Sequence, residues 1–135
     1  MEPAYVGAGL AAALAGLHAY WGLGGTRGLN NAVPQRDGGD PAFKPGAAAC
    51  LAVSAACALL GVLLVWPTVA PTPWVPRAGL WVALVVFVLR AVGDGGQVGF
   101  SKTNRDTAFA QADDAVYTPL VVGLGFSCAA ALLLT

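Results

Sequence analysis

Three stretches of this chain carry no Asp, Glu, Lys or Arg over a length that crosses a bilayer: Ala4 to Leu23, Gly46 to Trp66 and Ala115 to Leu134. Each is close to the roughly 20 residues that a helix needs to traverse a hydrocarbon core. A fourth run, Ala78 to Gly93, is shorter, about 24 Å as a helix; Arg90 falls in its last turn and Asp94 follows it. Lipid offers no hydrogen-bond partner to a peptide group, so runs of this kind must be helical. The pattern predicts an all-α polytopic membrane protein, a four-transmembrane-helix bundle forming a single domain over residues 1–135. Composition points the same way, with 57% hydrophobic and 10% charged residues against roughly 25% charged in soluble domains.

The segments between the runs differ in kind. Residues Gly24 to Pro45 gather Arg27, Arg36, Lys44, Asp37 and Asp40 among glycines, asparagines and prolines, which reads as a polar loop. After Trp66, the stretch PTVAPTPWVPR holds four prolines and predicts a stiff connector, because proline removes a helix donor and clashes with the preceding turn. Trp66 and Trp74 flank it, at the headgroup level that indoles favour. The second polar loop, Asp94 to Asp114, is glycine-rich at first and helix-compatible from about Thr107, and Pro119 suits the first turn of the last helix. The only charged side chain ahead of the first run is Glu2; a signal peptide calls for a basic segment there, so the run is expected to stay as a span. Small residues recur four apart, in Gly7 and Ala11, Gly9 and Ala13, Ala48, Ala52 and Ala56, and Gly123, Ser127 and Ala131. That spacing permits close helix packing, and it is also what an alanine-rich composition produces by chance.

Four spans put both polar loops on one membrane face, opposite the termini. Six of the seven basic residues, all but Arg77, belong to that face. Positive-inside counting makes it cytoplasmic, with both termini outside a multi-pass cell-membrane protein. A formal net charge of zero gives no purchase on nucleic acid. Cys50, Cys57 and Cys128 lie in apolar runs as buried thiols; Cys50 and Cys57 are roughly 10 Å apart along one helix, too far to bridge. A single histidine leaves zinc and bis-His haem short of ligands. No metal and no cofactor is expected.

The same face collects the side chains capable of chemistry. His18, Tyr20 and Trp21 stand near the end of the first helix, Arg90 and Asp94 at the exit of the third, and Asp113, Asp114 and Tyr117 at the entry of the fourth. Each has a plain reading: an interfacial aromatic belt for His18, Tyr20 and Trp21, an Arg90–Asp94 ion pair four residues apart, helix-start acids for Asp113 and Asp114. Polar groups at membrane depth are costly and tend to pair or to serve a site. Their convergence from three helices predicts a semi-buried polar pocket. In it Asp94, Asp114 and His18 are the candidate acids and bases, with Arg90, Tyr117, Trp21, Tyr20, Lys102 and Asp113 as substrate-binding groups.

Taken in order, HAYWGLGG (His18 to Gly25), RAVGD (Arg90 to Asp94), GFSKTNRDTAFA (Gly99 to Ala110) and DAVYTPL (Asp114 to Leu120) resemble a family of small four-helix bacterial integral membrane proteins of unknown function, domain of unknown function 3995. The resemblance covers nearly the whole chain and implies the fold but no activity. Its motif positions fall on His18, Tyr20, Trp21, Gly24, Gly25, Arg90, Gly93, Asp94, Lys102, Thr107, Asp114, Tyr117 and Pro119. In many relatives an aromatic follows the acid of RxxGD, where this chain has Gly95 and Gly96.

Three functions fit these residues. The first is a membrane-embedded enzyme that isomerises, cyclises or eliminates on a lipophilic small molecule by acid/base chemistry. The second is a non-catalytic binding or assembly subunit, as a homo-oligomer or within a larger membrane complex. The third and weaker is a small transporter, since helices 1, 2 and 4 have no acid at their midpoints. The first two part on one observation: whether the polar cluster opens to a cavity or is closed by internal pairing.

Overall fold

The computed structural model describes all residues, 1–135. It is all-helical: α1 (Glu2–Gly22), the single turn α2 (Leu29–Ala32), α3 (Ala47–Val69), α4 (Trp74–Val92), α5 (Ala108–Ala112) and α6 (Thr118–Leu132). A π-helical turn, Asp113–Tyr117, joins α5 to α6, and the three run on as one helical stretch, Ala108–Leu132. The sole extended pairing is an isolated bridge between Gln35 and Pro41.

Three helical stretches are long and apolar enough to cross a membrane: Ala47–Val69, Trp74–Val92 and Ala108–Leu132. α1 has 21 residues but is not among them, because its four glycines together with Tyr5, His18, Tyr20 and Trp21 lower its mean hydropathy. The outward faces are those of a membrane protein. Along α4, Trp81, Val82, Val85, Val86, Val88 and Leu89 are all exposed, so apolar side chains point away from the protein on several sides of one helix. A soluble helix instead buries a single apolar stripe and turns polar groups outward.

The core is small and centred between the helices, built on Ala4 and Ala11 of α1, Leu60 and Leu64 of α3, Leu80 of α4 and Leu124, Cys128 and Ala131 of α6. α1 lies along α3 and touches α6, and α4 lies along α6. Close approach depends on particular small residues. A Cβ on Gly7 would collide with Ser127 of α6, and one on Gly22 would come within 2.7 Å of the Leu51 side chain. Ser54 on α3 donates to the Ala15 carbonyl of α1 at 2.7 Å. Other small residues at the same spacing do not pack: Gly9 and Gly123 have open space beside them, and Ala48, Ala52 and Ala56 are exposed.

Three boundaries differ from expectation. α3 continues past Pro67 to Val69; proline in a last turn forfeits one backbone bond without having to accommodate a following helix. α4 begins at Trp74, with Pro76 in its first turn, where a missing N–H costs nothing. The proline-rich connector therefore shrinks to residues 70–73, held by Trp66 Nε1 donating to the Pro71 carbonyl at 3.3 Å. The last helical stretch begins at Ala108, before the expected Ala115, because Thr107 caps it, its Oγ1 accepting from the Ala110 N–H at 3.1 Å. Asp113 and Asp114 are thus inside the helix, past its first turn.

Candidate functional site

α4 stops at Gly93, whose φ of 94° lies in the left-handed region that glycine adopts freely. The chain then folds back on the helix end. Phe100 and Ser101 donate to the carbonyls of Ala91 and Val92 at 2.8 and 2.9 Å, satisfying acceptors that a helix C-terminus leaves open. The crossing leaves no room for side chains: a Cβ on Gly99 (φ 73°) would lie 2.6 Å from the Ala91 carbonyl oxygen, and one on Gly93 would strike the Val98 carbonyl. Asp94 shapes the turn. Its Oδ1 accepts from the N–H groups of Gly96, Gln97 and Val98 at 2.8, 2.7 and 3.0 Å. Those bonds, Val98's first and then Gly96's, hold its carboxyl below the ordinary aspartate value against a smaller upward push from burial.

This folded-back loop delivers Lys102 beneath the π turn, and a chain of alternating charges results. Asp113 is completely buried. One of its oxygens meets Arg90 at 2.5 Å, and the other meets Lys102 Nζ at 3.0 Å and the Gly99 N–H at 2.9 Å. The Lys102 ammonium, its side chain fully buried, also donates to the Gly99 carbonyl at 3.1 Å and to Asp114. Asp114 in turn meets Arg105 at 3.3 Å, with the two side chains 47% and 52% exposed. Burial alone would lower the Lys102 pKa; the bonds to Asp114 and Asp113 outweigh it and hold the ammonium above its ordinary value. One guanidinium nitrogen of Arg90, Nη1, is buried with no partner. The π turn presents two successive carboxylates to this loop, and single π turns within α-helices recur at functional positions.

The nine side chains singled out from the sequence divide into separate groups. Arg90, Lys102, Asp113 and Asp114 come together in the ionic chain. Asp94 is in the neighbouring turn, and Arg90 pairs with Asp113 rather than with it, because the helix that would have aligned them ends at Val92. Tyr117 turns to the other loop, donating to the Asn31 carbonyl at 3.1 Å, its ring 5.9 Å from that of Phe109. His18, Tyr20 and Trp21 form a third group on α1. Trp21 Nε1 donates to the Arg27 carbonyl at 2.8 Å, the Arg27 N–H reaches the Tyr20 hydroxyl at 3.4 Å, and the His18 and Trp21 rings meet edge to face at 5.0 Å.

Three contributors were missed. Gln35 ties the two polar loops together: its carbonyl accepts from Asn104 at 3.3 Å and its side-chain oxygen from the Phe109 N–H at 3.2 Å. A lone glutamine in a loop carries no signal for this. Arg105 ends the ionic chain, and Gly99 supplies both a donor and an acceptor to it. For Arg105, the opposite charges of Asp113 and Asp114 one loop away were a usable hint. No group of His, Cys, Asp and Glu side chains converges as metal ligands would.

Residues 11–128 match the family described as Protein of unknown function (DUF3995). The chain belongs to this family. No curated protein and no solved structure matches it. The stretch shared with DUF3995 takes in the whole ionic chain and the His18 group alike. Beside His18 it also contains an open hollow of about 220 Å³, lined by apolar side chains from α1, the first polar loop and α3, among them Trp21, Val33, Phe43, Ala49 and Cys50.

Proposed function

We propose that this DUF3995 protein is a four-span membrane protein, α1 being the fourth span, that works as a non-catalytic binding or assembly subunit with its polar end locked by the ionic chain. The observation that carries the reading is Asp113: it has no exposed surface and both its oxygens are engaged by three donors. A general acid or base needs a proton it can exchange with a substrate within hydrogen-bond reach. Asp113 and Lys102 have no such access, and three backbone N–H groups on one oxygen of Asp94 favour its charged form, which makes it a poor proton donor. Internal closure of this kind suits a group of charges that fixes loop and helix register. The enzyme reading retains two footholds: His18, which borders a hollow rather than a closed network, and Asp114, whose side chain is 47% exposed although it pairs with Lys102 and Arg105. On charge distribution, the two polar loops are the cytoplasmic side and the termini lie outside.

The test is native mass spectrometry of the chain taken in lipid nanodiscs from the membranes in which it is made. A stoichiometric companion, whether a second copy, another chain or a lipophile, whose mass is the same for wild type, Asp94→Asn and Asp114→Asn supports the reading. A companion that appears as a chemically different species in those variants, substrate standing where product stood, overturns it. So does a chain that carries no companion.

A further inference from the structure

We propose that the hollow beside His18 is a binding site for a membrane-soluble molecule with a single ring and a hydroxyl donor, a phenol in its chemistry. The proposal rests on the binding side of the reading above and adds the ligand's class.

The argument begins with the tautomer. His18 Nδ1 lies 2.9 Å from the Leu14 carbonyl oxygen. A carbonyl can only accept, so Nδ1 carries the proton, and in the neutral ring Nε2 is then a bare acceptor. Nε2 has no partner in the protein. Of the side chains that line the hollow, only His18 and Trp21 contain nitrogen or oxygen, and the Trp21 N–H is already given to the Arg27 carbonyl. What remains for a ligand is one acceptor nitrogen, an indole surface and apolar walls. A molecule that fits must donate one hydrogen bond and be otherwise apolar, which excludes anions and sugars.

Size and position narrow it further. Pockets for drug-sized ligands run from roughly 300 to 1,000 Å³, so about 220 Å³ suits a small molecule about the size of one substituted ring. The T-shaped contact between His18 and Trp21 fixes both rings, so the acceptor and the aromatic surface are set before a ligand arrives. Gly28, at φ 77°, turns the first polar loop beneath Trp21. The loop residues Val33 and Phe43 then line the hollow opposite Ala49 and Cys50 on α3. The hollow lies between the end of α1 and the first polar loop, at the headgroup level on the proposed topology, where amphipathic aromatic rings settle.

The chain has one histidine, so imidazole-¹⁵N labelling gives a direct reading of His18. The protein in nanodiscs is titrated with 4-propylphenol and, separately, with 4-propylanisole, which has the same ring and tail but no donor. A saturable upfield shift of Nε2 with the phenol is expected, absent with the anisole, while Nδ1 stays in place. Ala49→Leu, which fills the hollow from α3 and leaves His18 intact, should weaken the phenol response at least tenfold. An equal response to the anisole, an unsaturating response, or a phenol response undiminished in Ala49→Leu each overturns the proposal. Because this reads His18 and not the ionic chain, its failure is distinct from failure of the subunit reading, which native mass measurement decides.

Discussion

Asp113 and Asp114 are neighbours in sequence and identical in chemistry, yet one has no exposed surface and the other has a side chain 47% exposed. Asp113 faces Arg90 at the end of α4 and the backbone crossing at Gly99; Asp114 faces outward to Arg105. Lys102 bridges both. Asp113 and Lys102, at the inner end of this chain of charges, are closed off from solvent, with Arg90 29% exposed beside them, and the outer half is open to solvent. The same pairing chemistry therefore has different weight in its two halves. Removing one partner from a buried pair strands the other without solvation, whereas solvent stands in for a lost partner at a surface pair.

The largest expected effect of breaking this asymmetry comes from Asp113→Ala, which leaves Arg90, Lys102 and the Gly99 N–H without their acceptor. A loss of about 3–5 kcal/mol is expected, measured as thermal or denaturant unfolding in nanodiscs. Gly99→Ala comes next. It changes no charge, but its Cβ would need space held by the Ala91 carbonyl and the Gly93 backbone, at a φ that side-chain-bearing residues resist. Its cost should exceed about 1 kcal/mol and should release Lys102 to solvent, read as a rise in its reactivity toward amine-modifying reagents. Arg105→Ala should cost no more than about 1 kcal/mol, and the effect should shrink as salt is added. Equal losses for Asp113→Ala and Arg105→Ala would erase the distinction between the halves.

Two pH effects sharpen it. The Lys102 pKa is raised in the folded protein, so its contribution is complete below the unfolded-state value of about 10.4 and is lost as pH rises through the higher folded value. Wild type should thus show an alkaline loss of stability that is smaller in Lys102→Met. The Asp94 pKa is lowered, so its contribution is complete above the unfolded-state value of about 3.9 and is lost as pH falls through the lower folded value. Asp94 is exposed, so this acid step, removed in Asp94→Asn, should be the smallest effect of all.

How much of this was legible in the sequence follows from what each feature depends on. The helices were readable because lipid imposes length and apolarity on each span separately. The extension of the last stretch back to Ala108 was readable only in part: Thr107 is a recognisable capping residue, but the run of Asp113 and Asp114 masks the helix behind it. The closeness of Arg90, Lys102, Asp113 and Asp114 was anticipated from their shared membrane face. Their pairing was not, since it depends on the backbone crossing at Gly93 and Gly99. An Arg90–Asp94 pair is what helix periodicity predicts, and a left-handed glycine one residue before Asp94 defeats it. The separation of His18, Tyr20 and Trp21 into their own group follows from the first polar loop folding under Trp21 through bonds to the Arg27 backbone, which spacing does not encode.

The most direct measurement of the central claim is a double-mutant cycle on Lys102 and Asp113. Lys102→Met, Asp113→Leu and the double variant are unfolded in nanodiscs beside wild type. A closed lock predicts that each single change is costly and that the double is less destabilised than their sum, with a coupling of more than about 1 kcal/mol. Losses that add to within about 0.5 kcal/mol would contradict it, and would mean that the two buried charges hold nothing together.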